Sequence, residues 1–114
     1  MNIDFKDFNV PAQSVVVDKL REIGVEPVEK PSVFEIVMFL QQTYGLIVNV
    51  TVEDIDDAID HPYHYDMHYV NRNGTHSLKA YEAPENANGF STYIGAWTIG
   101  IINVINAGKE INIF

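Results

Sequence analysis

Apolar positions recur at helical spacing in three stretches of the chain and alternate in several others. Val16, Leu20 and Ile23 form one stripe, with Asp18, Lys19, Arg21 and Glu22 opposite, which predicts a helix from about Pro11 to Ile23. Pro11 suits a first turn, and Gly24 suits the left-handed residue after a helix end. Val25–Pro31 contains two prolines and reads as a linker. A second helix is predicted from Ser32 to Tyr44. Ser32-Val33-Phe34-Glu35 is a capping box, in which the Ser oxygen accepts from the Glu35 N–H and the carboxylate reaches back. Val33, Ile36, Val37, Leu40 and Tyr44 form its main stripe. Phe34, Met38 and Phe39 widen that stripe beyond one face, which predicts burial on two sides.

Leu46–Val52 alternates, with Leu46, Val48, Val50 and Val52 on one face, and predicts a strand. Asn73-Gly74 is a strong hairpin signal because both positions of a type I′ turn need positive φ. Strands are therefore expected over Tyr63–Arg72 and Thr75–Glu82. A two-residue loop pairs Tyr69 with Leu78, Met67 with Ala80 and His68 with Lys79. A register shift of two keeps the same faces. Ser91–Ala107 predicts a third helix carrying Ile94, Trp97, Ile101, Val104 and Ile105, with Trp97 buried against the sheet. Gly95 and Gly100 inside it suggest close approach of another backbone. The tail Ile111–Phe114 alternates as an edge strand would. The expected fold is α+β: a three-stranded antiparallel sheet with helices packed on one face. It forms a single domain over 1–114, with an N-terminal arm at 1–10 and a C-terminal tail at 109–114.

Composition narrows the function classes. The chain has 114 residues, room for one core. With 16 acidic and 7 basic residues the formal charge is −9, which repels phosphate backbones and anionic lipid. Direct nucleic-acid binding and membrane docking are therefore not expected, whereas a basic partner surface is favoured. There is no cysteine, so disulfides, thiol catalysis and thiolate metal sites are excluded. The first residues lack a basic region followed by an apolar run, and the apolar stretch Tyr93–Val104 is shorter than the ~20 residues of a membrane span, so a cytoplasmic location is expected.

Candidate chemistry is concentrated in His61-Pro62-Tyr63-His64-Tyr65-Asp66-Met67-His68. On a strand His64, Asp66 and His68 point the same way. Residues two apart can share a metal, whereas residues four apart are separated by ~13 Å. A third ligand would come from His61 or from the acids of Glu53–Asp60, and a Lys79 opposite His68 would disfavour a cation. The competing reading is a polar solvent face backing a tyrosine-rich core face. The acidic run lacks the central glycine and terminal glutamate of a calcium loop. No nucleophile elbow, phosphate loop, dinucleotide fingerprint or zinc-protease helix is present. No cofactor is expected, and neither is enzymatic activity.

Asp18-Lys19-Leu20-Arg21-Glu22-Ile23-Gly24, Pro31-Ser32-Val33-Phe34-Glu35-Ile36-Val37-Met38-Phe39-Leu40, Tyr44-Gly45-Leu46-Ile47-Val48-Asn49-Val50 and Phe90-Ser91-Thr92-Tyr93-Ile94-Gly95-Ala96-Trp97 together resemble a family. It comprises short uncharacterised proteins of phages, prophages and mobile elements of gut Bacteroidetes. Its members show a "KLKEIGF" segment, a "PTYxxVxxWLREKHGIxI" helix and strand, a hairpin and a closing "SYxEALExAI" helix. Gln41-Gln42-Thr43 here replaces charged residues at the second helix end, and the closing helix is more apolar. The resemblance implies the helix–strand–hairpin–helix fold and a mobile-element origin, and carries no site residues. With the acidic charge and the lack of catalytic motifs, the expectation is a non-enzymatic protein-interaction module, directed at host defence or imitating nucleic acid with its carboxylates. The alternative is a small-molecule or metal-binding module on the polar face of the 63–82 hairpin. The apolar surplus on the second and third helices further predicts a homodimer.

Overall fold

A computed structural model describes residues 10–27, 32–52 and 60–114. The order is α1 (Val10–Glu22), α2 (Val33–Tyr44), β1 (Leu46–Val52), β2 (Tyr63–Asn71), β3 (Gly74–Ser77), two 3-10 turns (Lys79–Tyr81 and Pro84–Ala87) and α3 (Tyr93–Glu110). The sheet is antiparallel, in the order β1-β2-β3. The fold is α+β, as the apolar pattern requires. The acidic connector 53–59, the linker residues 28–31 and most of the arm 1–10 lie outside the described residues.

Local chemistry sets the boundaries. Ser32 caps α2 by accepting from the Glu35 N–H at 3.0 Å. Gly45 ends the helix at φ 72° and turns the chain directly into β1; a Cβ there would meet the Val70 carbonyl oxygen at 2.5 Å, so only glycine fits. Thr92 caps α3 by accepting from the Gly95 N–H.

Along β1 and β2 the buried residues Leu46, Val48, Tyr65 and Met67 share one face and meet α3. A Cβ on Gly100 would meet Val48 Cγ2 at 2.8 Å and the Tyr65 ring at 3.2 Å, so the missing side chain lets the helix seat on the sheet here. The core continues through Ile101, Val104 and Ile105 to Val16, Leu20, Val33, Ile36 and Leu40. Helix α1 packs on α3, where Lys19 donates to Asn106 and Glu22 receives Lys109.

The hairpin differs from expectation in two ways. Asn71 pairs with Gly74 and Tyr69 with His76, so the two-residue loop is Arg72-Asn73 rather than Asn73-Gly74. Gly74, at φ 115°, opens the returning strand instead. The register is displaced by two residues and the faces survive: the Tyr69 ring lies over His76. Ser77, not Lys79, stands opposite His68. The returning strand also stops at Ser77 rather than Glu82, because Leu78 folds into the core and the chain then turns into 3-10 structure that leaves Ala80 exposed.

Beyond that point β2 keeps its pairing through other groups. The Leu78 N–H donates to the Met67 carbonyl, and Asn86 brackets Tyr65: Oδ1 accepts from its N–H at 2.9 Å and Nδ2 donates to its carbonyl at 2.7 Å. Tyr63 exchanges both backbone bonds with Phe90.

The tail is not an edge strand. Asn112 has φ 61°, and the Ile113 N–H donates to the Gly108 carbonyl, so the chain folds back on the end of α3. Phe114 then packs edge-on against Tyr44, with ring centroids 4.7 Å apart.

Candidate functional site

Two concavities stand out among the described residues. The first is an apolar cleft of about 490 Å³ where α2 and α3 begin. Its walls are Val33, Phe34 and Val37 from α2, and Thr92, Tyr93, Ile94 and Trp97 from α3. The helical period dictates this grouping. Val33, Phe34 and Val37 cluster on one side of α2, and Tyr93, Ile94 and Trp97 do the same on α3.

Trp97 lines this wall and is half-buried, where the sequence predicted full burial against the sheet. The sheet side of α3 must be small to let the helix approach, and Gly100, against Val48 and Tyr65, and Gly108, against Leu46, lie on it. The bulky indole therefore falls on the flank. There it forms an aromatic ladder with Tyr93 and Tyr63. The Tyr63 and Tyr93 centroids are 5.6 Å apart, Tyr93 and Trp97 are 6.1 Å apart, and both contacts are edge-on. Tyr93 is 52% exposed. No lining residue carries a formal charge, and the Thr92 hydroxyl is already bonded to the Gly95 N–H.

The second concavity, about 760 Å³, is polar. It lies where β3 gives way to the 3-10 turns and includes Thr51, His64, Asp66, His68, Ser77, Lys79 and Glu82. His64, Asp66 and His68 do share the outer face of β2, as alternation requires. His68 Nδ1 lies 3.6 Å from Asp66 Oδ1. His64 behaves differently: its Nδ1 is 2.7 Å from the Asn86 carbonyl. A carbonyl only accepts, so Nδ1 carries the proton there, and the bond ties the ring to the second 3-10 turn. Its Nε2 sits over Gly89, where a Cβ would come within 2.9 Å. Among the described residues no three His, Asp or Glu side chains converge in metal-binding geometry.

One titration is perturbed beside this concavity. Burial pushes the Tyr65 phenol above its usual value, opposed by the hydrogen bond from the Ala83 N–H, with Glu82 and Glu85 adding to the rise. The hydroxyl donates to Asn103 Oδ1 at 2.7 Å, which fixes it as a neutral structural donor. Among the described residues no helix is long and apolar enough to cross a membrane.

The sequence pointed to the His-rich strand and not to the cleft. The signal for the cleft was nevertheless present in the excess breadth of the α2 and α3 apolar stripes. No family model, curated protein or solved structure matches the chain.

Proposed function

We propose that this protein is a non-enzymatic protein-interaction module that seats an apolar segment of its partner in the cleft between α2 and α3. One observation carries the reading: an uncharged cleft of about 490 Å³ presents Trp97, Tyr93 and Phe34 together at an open surface. Tryptophan and tyrosine dominate binding hot spots because they bring large rigid contact area at low entropic cost. The resemblance to phage and mobile-element proteins favours a partner in the host, and host-defence components are the first class to test. Nucleic-acid mimicry is the weaker form of the idea. The described acids are spread over α1, α2, β2, the 3-10 turns and the end of α3, and several are tied to Lys or Arg within the chain.

The experiment is affinity capture from a gut Bacteroidetes lysate with three baits: the native chain, Ile94→Asp, and His68→Ala as a remote control. A protein retained by the first and third and lost by the second is expected. Capture unaffected by Ile94→Asp would sink the cleft as the binding site.

A second reading assigns the polar concavity to a small molecule or metal ion, favoured by the shared orientation of His64, Asp66 and His68 and by the room in front of them. Metal analysis of purified native protein against a His64→Ala, His68→Ala double variant tests it. Equal content near zero removes the metal form.

A further inference from the structure

We infer that the cleft is also a binding site for a free small molecule, one that is uncharged, mostly apolar and built around a flat ring. Such a ligand needs no protein partner, so this site stands or falls apart from the protein-interaction reading. The scaffold makes the space. Helices α2 and α3 are both seated on β1 and hardly approach one another backbone to backbone. The gap between their first turns is walled by side chains and held open by the strand that both helices share. Size then selects the class of occupant. A stable protein interface takes roughly 20–30 residues from each side. The cleft offers seven, too few for a second copy or a folded domain to use alone. Its volume of about 490 Å³ instead falls within the roughly 300–1,000 Å³ of small-molecule sites, which are lined in the same apolar and aromatic way.

The lining selects the chemistry. No wall residue carries a formal charge, so an ionised group would give up its water with no counter-ion to receive it. The Thr92 hydroxyl is already engaged by the Gly95 N–H. One side-chain hydroxyl is left, the half-exposed Tyr93 phenol, which has no hydrogen-bond partner among the described residues. A ligand here is accordingly apolar over most of its surface, with one polar group at most turned toward Tyr93. The walls themselves present flat rings. Tyr93 meets Tyr63 and Trp97 edge-on rather than face to face, and Phe34 on the α2 wall makes no ring contact among the described residues. These rings lack a stacked neighbour, and the ring of a ligand supplies one.

The test uses the full chain, whose single tryptophan gives one indole N–H resonance. Two probes share a ring system: N-phenyl-1-naphthylamine is neutral, and 8-anilino-1-naphthalenesulfonate adds a negative charge. Saturable binding of one neutral molecule per chain is expected, with quenching of Trp97 emission and a shift of its indole resonance. The sulfonate should bind about tenfold more weakly. Phe34→Ser and Ile94→Asp, each checked for native circular dichroism, should weaken the neutral probe by about tenfold or more, whereas Thr75→Ser on the hairpin should leave it unchanged. Phe34→Leu keeps the apolar bulk and removes the ring, and should weaken it about threefold. Equal affinity for the two probes overturns the uncharged ligand, and native affinity in Phe34→Leu overturns the flat ring. Binding that survives both Phe34→Ser and Ile94→Asp, binding that does not saturate, an unmoved indole resonance or no binding at all overturns the site. A dimer in sedimentation that Phe34→Ser dissociates and the neutral probe does not would make a second copy the occupant instead. A chain that captures a protein through the cleft and binds neither probe keeps the interaction reading and loses this one; a bound neutral probe with no protein captured does the reverse.

Discussion

The two ends of α3 are built from similar residues and finished in opposite ways. At the C-terminal end the helix is sealed. Gly108 lets it close on Leu46, the tail folds back so that Phe114 caps the joint against Tyr44, and α1 clamps the outer side through Lys19–Asn106 and Glu22–Lys109. At the N-terminal end Tyr93, Ile94 and Trp97 stand against α2 with nothing laid across them among the described residues, and the result is the cleft. Hydrophobicity alone did not decide which end would be covered. Geometry did: α1 spans 13 residues, about 20 Å, and its buried Val16 and Leu20 are committed to one end.

This contrast can be broken by measurement. At the sealed end, Ile105→Ala removes a fully buried side chain and should cost about 2–5 kcal/mol in denaturant unfolding. At the open end, Trp97→Ala deletes a larger side chain and should cost less, about 1–2 kcal/mol, because part of the indole faces solvent. Full burial of Trp97 against the sheet, which the sequence predicted, would instead make the loss about 3–5 kcal/mol. Equal losses at the two sites would mean that the cleft is not an open wall. Phe114→Ala tests the cap itself; with the ring 40% exposed, about 1 kcal/mol is expected, with faster amide exchange at Gly108 and Ile113.

The smallest effect concerns the clamp. Hydrogen bonding to Lys109 holds the Glu22 carboxyl below its ordinary value, with Lys19 contributing. A depressed carboxylate stabilises the fold above its unfolded pKa and loses that contribution as pH falls through the folded value. Lys109→Met should raise the Glu22 midpoint toward the ordinary range in a carboxyl NMR titration and flatten the acid limb of stability. An unmoved midpoint would detach Glu22 from the clamp.

Much of this architecture was legible in the sequence because it rests on local rules. Ser32 with Glu35, Gly45, and the alternation from Leu46 to Val52 each name their own conformation. The hairpin faces were legible too, since a shift of two residues leaves alternation intact. Its turn was not, because Asn73-Gly74 satisfies a type I′ loop as well as the observed Arg72-Asn73 loop with Gly74 beyond it. The early end of β3 depends on Leu78 finding the core and on Asn86, eight residues later, bonding Tyr65; neither long-range contact has a local signature. The tail misled for a related reason: Ile111 and Ile113 alternate, yet the left-handed Asn112 between them turns the chain back on α3. The cleft was visible only as apolar residues in excess of one face, which says that some surface stays uncovered without saying which.

The carboxamide of Asn86 has a consequence outside the folded monomer. Its Oδ1 and Nδ2 present the same acceptor and donor as a peptide group, so β2 meets at Tyr65 something chemically equivalent to another strand. With β3 at one end and Phe90 at the other, that side of β2 offers no template on which a foreign chain could crystallise into cross-strand order. A short β3 of four residues thus suffices where a full-length neighbour would otherwise be needed. Replacing Asn86 with leucine would uncover the polar groups of Tyr65 in the middle of the molecule's most apolar strand pair, and the first symptom in a concentrated solution should be fibrous aggregation rather than loss of helix.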